Sequence, residues 1–281
     1  MYKFKLRTLF ACAAAMSLAC SQAQAQGICL PATIASHPKV TIAEALKKFD
    51  GLSLSKDEFE TTAAYQARVA SSQAKVSVGD LVFAIDSHVT TEFNADLGQV
   101  TVPSYAMSGT CLVNEATVSP EMKAVSFGKP ARYLPSGYCI TESAGSEDQG
   151  SYEATNGYGA KVVVEKSHLK NRGVFFGFGD SGQSLFGGRR SYTNDPLFIF
   201  EASVDEARSL KLNAQLLLLA TPHAPFVGKG SYYGKPTFDR PQETTFSTDF
   251  IVATPLCVAL ADKVSGKIFA TRRVGADASS Q

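Results

Sequence analysis

Gln215-Leu216-Leu217-Leu218-Leu219-Ala220 is the most apolar stretch of the chain after residue 25, and its length is that of a strand. It is too short to cross a bilayer as a helix, so its leucines are material for a protein core. The segments around it read the same way. Downstream, Thr245 to Ala253 and Leu256 to Leu260 are apolar strand candidates, and Lys267 to Arg272 is placed to pair back across the turn Lys263-Val264-Ser265-Gly266. Upstream, strand character recurs at Ala160 to Glu165, Gly173 to Phe178 and Leu197 to Phe200. Val204 to Leu210 is expected as one short helix, because Asp205 and Glu206 would sit in its first turn, where the helix dipole favours negative charge. Residues 141–159, rich in Gly, Ser, Glu and Asp, read as a long exposed loop.

The N-terminal third brings two further helices and more strands. Thr41-Ile42-Ala43-Glu44 has the form of a capping box, in which the Thr hydroxyl and the Glu carboxylate each satisfy an orphan backbone N–H. Asp50-Gly51 is a stop signal for that helix. Ser55-Lys56-Asp57-Glu58 repeats the pattern, and Phe59, Ala63, Ala67 and Ala70 then fall on one face at helical spacing, with Phe59 expected in the core. Leu81 to Asp86 is an apolar strand candidate. Val89 to Phe93 and Gln99 to Tyr105 flank the turn residues Asn94-Ala95-Asp96-Leu97-Gly98. Thr110 to Val118 and Met122 to Phe127 complete the set, and residues 26–40 read as a leader without periodicity. Many strands, few helices and frequent Gly and Pro define an α+β protein, mainly antiparallel sheet, with two N-terminal helices and one short later one. No linker divides residues 26–281, which are expected to form a single domain.

The helix Asp57-Glu58-Phe59-Glu60-Thr61-Thr62-Ala63-Ala64-Tyr65-Gln66-Ala67-Arg68-Val69 resembles one that recurs in exported bacterial proteins of unassigned activity. The strand-turn-strand Phe93 to Val100 and the segment Asn156 to Val162 resemble parts of the same proteins. The resemblance covers about a third of the chain. It implies a shared fold and an exported setting, and it carries no functional residues with it.

Export is also written in the first 25 residues. Lys3, Lys5 and Arg7 precede the uncharged apolar run Leu9 to Ala19, and Ala23-Gln24-Ala25 offers the small residues that a signal peptidase requires. Ser17-Leu18-Ala19-Cys20 is a rival site, a displaced lipobox that would anchor the protein through a lipid on Cys20. Removing Lys3, Lys5 and Arg7 from the 27 cationic side chains leaves 24 against 26 acidic ones. That balance gives no footprint for nucleic acid or an anionic membrane. Four cysteines remain: Cys29, Cys111, Cys139 and Cys257. In an oxidising compartment an even count reads as two disulfides. The expected pairs are Cys111 with Cys139, locally, and Cys29 with Cys257, joining the two ends.

The chemical motifs do not hold together. Gly179-Asp180-Ser181-Gly182 resembles the nucleophile segment of chymotrypsin-like proteases, but Gln183-Ser184 stand where that family has Gly-Pro, and no histidine lies in an Ala-Ala-His-Cys context. A hydrolase centred on Ser181 with His88 as base is therefore kept only as the alternative. Gly177, Gly179 and Gly182 fit a dinucleotide fingerprint, yet Gly187-Gly188-Arg189-Arg190 follows where a helix is needed. His37, His88, His168 and His223 are scattered without metal-ligand spacing, and Asn94-x-Asp96-x-Gly98 lacks the ligands of a calcium loop. No cofactor or metal is expected.

Two segments suggest recognition. Lys229-Gly230-Ser231-Tyr232-Tyr233-Gly234-Lys235 reads as a loop with paired tyrosines between lysines, and Arg189-Arg190-Ser191-Tyr192 as a Gly-flanked basic and aromatic loop. The function expected from the sequence is a non-catalytic binding or envelope-support module, periplasmic or secreted. Its partner would be a protein or small-molecule ligand of the cell envelope. The mature N-terminus should be Gln26, and mass spectrometry of the exported protein checks this. A diacylglyceryl group on Cys20 would instead make the protein membrane-anchored.

Overall fold

The computed structural model describes residues 27–50, 56–75, 79–85, 89–103, 110–111, 118, 120–123, 125, 136–179 and 196–274. The fold is α+β and dominated by antiparallel sheet. Its elements, in chain order, are α1 (Pro31–Ser36), β1 (Lys39–Thr41), α2 (Ile42–Phe49), α3 (Thr62–Lys75), β2 (Leu81–Ile85), β3 (Glu92–Asn94) and β4 (Gln99–Pro103). There follow β5 (Thr110–Cys111), α4 (Pro120–Lys123), β6 (Ser136–Thr155), β7 (Lys161–Gly179) and β8 (Pro196–Glu201). The last described elements are α5 (Val204–Asn213), β9 (Ala214–Gly234), β10 (Gln242–Asp262) and β11 (Ile268–Arg273).

The main sheet has the order β1-β2-β9-β10-β7-β6-β5, with β11 also paired to β10. Its centre is β10, which changes neighbours along its length. Gln242 to Val252 pairs in parallel with β7, whereas Cys257 to Ala261 pairs antiparallel with β11. On its other side β10 pairs antiparallel with β9, from Thr244↔Gly234 to Asp262↔Ala214. The sequence divides this strand in two at Pro255, but the chain passes through it with a register shift between Pro255 and Cys257, where a bulge absorbs the missing N–H. A small sheet, β3-β4-β8, lies against the main one, with the rings of Phe200 and Phe269 5.7 Å apart.

Both faces of the main sheet are covered around the leucine run, which explains why the run is continuous rather than alternating. Leu216, Leu218 and Ala220 face one core with Phe83, Ile85, Val258 and Leu260. That core is closed by Ile42, Ala45 and Phe49 of α2, by Val100, Val102 and Phe198 of the small sheet, and by Ala207 and Leu210 of α5. Leu217 and Leu219 face the other side, where Ile34 and Ile28 cover Val82, Ala84, Ala259 and Ala261. Further along that second face, Phe175, Phe178, Phe250 and Val252 pack with Val118 and Met122. Gly228 is required there, because a Cβ at that position would lie 1.9 Å from Met122 Sδ.

The helix signals hold at two of three places. Thr41 and Glu44 form the expected capping box of α2. Ser203 and Glu206 form another at α5, with Asp205 and Glu206 in its first turn. The second N-terminal helix starts later than Ser55-Lys56-Asp57-Glu58 suggests. Asp57 Oδ1 accepts from the Phe59 N–H in a local turn, and Thr61 Oγ1 accepts from the Ala64 N–H to open α3. This displaces the packing face. Tyr65 and Val69 meet the core, whereas Phe59 is 88% exposed and Ala63, Ala67 and Ala70 are exposed as well. The Asp57 side chain thus competes with a helix for the Phe59 N–H. Within the segment read as a leader, residues 27–40 contain α1 and the start of β1. Met122 belongs to the short α4 rather than to a strand.

The largest departure is residues 141–159. The exposed part of the expectation holds, but the segment is no loop. Most of it is the outer half of β6, paired with β7 from Thr141↔Gly173 to Thr155↔Lys161. The polar, Gly-rich composition that signals a loop here marks a strand outside the core. Two register shifts, at Ser143/Gly145 and Asp148/Ser151, each carry a glycine at positive φ, Gly145 and Gly150. Such bulges and the acidic side chains Glu142, Glu147, Asp148 and Glu153 blunt an edge against unwanted pairing.

Cys29 and Cys257 form a disulfide across 228 residues, with their Cα atoms 5.6 Å apart. It fixes the N-terminal segment over the face lined by Leu217 and Leu219. Cys139 is disulfide-bonded too. The Cys111 backbone pairs with Gly137 on the adjoining strand, and its side chain lies outside the described residues. Non-reducing peptide mapping should recover Cys29–Cys257 and Cys111–Cys139, and a Cys29→Ser, Cys257→Ser variant should lose about 2–5 kcal/mol of stability in urea.

Glu206 gives the fold a pH dependence. The Lys267 ammonium, the Ser203 backbone N–H and the Ser203 hydroxyl together lower its pKa from 4.5 to about 2. A carboxylate depressed in the folded state contributes stability that is complete above the unfolded value, and it is lost as pH falls toward the folded one. The contribution should therefore disappear between about pH 4.5 and pH 2. Acid titrations of wild type and Glu206→Gln should differ in that window and run parallel above it.

Candidate functional site

Beyond the core, strands β9, β10, β7 and β6 continue as a four-stranded platform, since Gln242 to Asp249 pairs with β7 on one side, Thr244 to Asp249 pairs with β9 on the other, and β6 pairs with β7. Side chains alternate between its two faces. On the face that α2 covers nearer the core, successive rows are polar. Arg172 Nε donates to Glu142 Oε1 at 2.7 Å, and Glu142 is buried. Lys229 Nζ lies 3.3 Å from Asp249 Oδ1. Lys170 binds Glu147. His168 Nε2 is 2.8 Å from Ser247 Oγ, and His168 Nδ1 is 3.8 Å from Glu147 Oε2.

Farther out, Tyr152 donates its hydroxyl to Glu243 at 2.9 Å, and Lys166 Nζ lies 3.6 Å from the same carboxylate. The Glu243 pKa is lowered, chiefly by the Tyr152 hydrogen bond, with Tyr233 and Lys166 adding to it against the opposing effect of burial. Both tyrosines respond in the opposite direction. Tyr152 is raised first by its bond to Glu243, and Tyr233 first by desolvation and then by Glu243. These phenols stay protonated and act as hydrogen-bond donors.

Between the platform and the helix lies an open pocket of about 460 Å³. Ala43 and Leu46 of α2 form its apolar wall. Lys170, Arg172, Lys229, Ser247, Thr248 and Asp249 are among the platform residues that line the rest. The capping box sets the start of α2, and burial of Ile42, Ala45 and Phe49 sets its rotation, so Ala43 and Leu46 are turned to the pocket.

The structure places part of the sequence-derived surface here. Lys229 lines the pocket, and Tyr233 stands on the same face. The stretch Lys229 to Gly234 is not a loop, because it pairs residue by residue with Thr244 to Asp249. Strand pairing also separates the two tyrosines. Tyr233 meets Glu243, while Tyr232 lies on the opposite face with its ring 6.1 Å from Phe246. Tyr232 and Tyr233 therefore cannot form one aromatic surface. Lys235 is exposed just past the end of β9. Arg189, Arg190, Tyr192, Ser181 and His88 lie outside the described residues.

His168, Ser247 and Glu147 carry no local sequence signal. His168 and Ser247 are 79 residues apart and meet only because β7 and β10 pair in parallel. Among the described residues, no group of three or more His, Cys, Asp or Glu side chains is arranged to hold a metal ion. The fold defines a two-sheet α+β protein with a polar platform and a pocket at its base. No protein-family model, curated protein or solved structure matches the chain.

Proposed function

We infer that the protein is an exported binding module whose ligand is a small amphiphilic anion. One observation carries this reading: the pocket beside α2 sets an apolar wall, Ala43 and Leu46, against the cations Lys170, Arg172 and Lys229. The three cations are not equivalent. Arg172 is held by the buried Glu142, and Lys170 by Glu147. The Lys229 side chain is 85% exposed, and its contact with Asp249 is an exposed pair worth little, so it is the cation most easily redirected to an incoming carboxylate or phosphate. Ser247, on the same face as these cations, adds a polar group to the lining. The apolar part of such a ligand would lie on Leu46, removing that surface from water. Export rests on the charged, apolar and small-residue order of residues 1–25.

Octanoate and hexyl phosphate are suitable probes, because they share this chemistry while differing in headgroup. Calorimetric titration should show saturable binding of at least one of them to wild type. Lys229→Gln and Leu46→Asp should each weaken it about tenfold or more, with thermal melts unchanged for Lys229→Gln. Equal affinity in all three proteins would place the ligand elsewhere, and no binding of either probe would reject the reading.

A further inference from the structure

Ser247 lines the pocket and belongs to an arrangement that binding does not need. Ser247 Oγ is 2.8 Å from His168 Nε2, and the other ring nitrogen, Nδ1, is 3.8 Å from Glu147 Oε2. A nucleophile within hydrogen-bond reach of a base, with the base facing a third group, is the arrangement that activates a serine. The neighbours assign the tautomer. A proton on Nδ1 is favoured by the Glu147 carboxylate, which leaves the Nε2 lone pair to accept the Ser247 hydroxyl proton. Ser247 lines the pocket, so its oxygen is open to a bound molecule. Lys170 stands directly opposite Ser247 in the strand register and lines the same pocket. Its ammonium supplies positive charge where a carbonyl oxygen attacked by Ser247 would develop negative charge.

We propose that Ser247 is an acyl-transfer nucleophile with His168 as its base, acting on small anionic acyl esters bound in the pocket. Glu147 is a positioning residue that acts through His168 and Lys170. In the first half-reaction Ser247 Oγ bonds to the ester carbonyl carbon while His168 Nε2 takes the hydroxyl proton. The carbon–oxygen bond to the leaving group then breaks, and His168 returns the proton to the departing alkoxide, giving an alcohol and an acyl-serine. In the second half, water gives a proton to His168 and its oxygen bonds to the acyl carbon. The bond to Ser247 breaks, the serine regains its proton, and a carboxylic acid leaves. No redox partner or metal enters the balance. This activity uses the pocket assigned above and so rests on that reading for its substrate, though not for the reactivity of Ser247 itself.

The mature protein is treated with a small fluorophosphonate and digested, and the labelled peptide is identified. Ser247 should be modified stoichiometrically. Ser247→Ala should abolish labelling, and Ser181→Ala should leave it intact. With mono-p-nitrophenyl adipate, an ester that carries a free carboxylate, His168→Ala should lower kcat by about 100-fold or more. Glu147→Gln should lower kcat with little change in KM, and Glu147→Asp should recover part of the loss. Octanoate titrated into wild type separates the two readings: label on Ser247 without octanoate binding rejects the pocket's ligand and leaves the chemistry standing, whereas octanoate binding without label rejects the chemistry alone. Absence of label on folded wild type, or label on any other serine, overturns the proposal. The identity of the labelled peptide decides this even if Ser247→Ala does not fold.

Discussion

The antiparallel contact between β9 and β10 organises the molecule. It extends from Leu216↔Leu260, deep in the core, to Thr244↔Gly234, out in solvent. Because the pair is so long, two environments share one set of hydrogen bonds. The inner part is covered on both faces and supplies Leu216 to Leu219 and Val258 to Ala261 to two cores. The outer part is half-exposed and carries Lys229, Tyr233, Ser247 and Asp249. The inner part is rigid through burial, so the outer part is held in register without a core of its own. Side chains on rigid strands are placed more reproducibly than those on loops.

Several smaller devices protect this arrangement. Asp262 ends β10 and is buried, which raises its pKa. Hydrogen bonds from Ser209, Ser265 and Val264 outweigh that effect and leave the net shift downward. It thereby ties α5 to the turn before β11. The Cys29–Cys257 bond anchors a segment whose own helix, α1, has only six residues and could not persist alone. At the platform the Arg172–Glu142 pair marks the border between core and solvent. The charge of Arg172 is needed to make the burial of Glu142 tolerable.

The site borrows its geometry from this frame. Parallel pairing of β7 and β10 sets His168 opposite Thr245 and leaves Ser247 within reach of its imidazole. The β6–β7 hairpin brings Glu147 opposite His168. The helix beside these strands closes one side of the pocket because its buried residues Ile42, Ala45 and Phe49 face the core. A platform with polar side chains in pairs would by itself be an ordinary solvated sheet. It becomes a site where α2 makes it concave.

Legible in the sequence were the class of fold, the capping box at Thr41, the short helix with Asp205 and Glu206 in its first turn, the Asn94–Gly98 hairpin turn and the return of β11 across Lys263–Gly266. All of these depend on residues within a few positions of one another, where side-chain chemistry and backbone preference act directly. It also identified Lys229 and Tyr233 by residue type. It read Lys229 to Lys235 and residues 141–159 as loops, because polar, Gly-rich strands outside a core have the composition of loops and only pairing with a partner strand makes them sheet. It expected Phe59 in the core, because a helical pattern does not reveal where the chain makes an Asx turn first. Strand pairing, invisible to local sequence, turns Tyr232 and Tyr233 opposite ways and brings His168, Ser247 and Glu147 together. Strand register sets those relations, and register is fixed by long-range burial of apolar side chains on the inner halves of the strands.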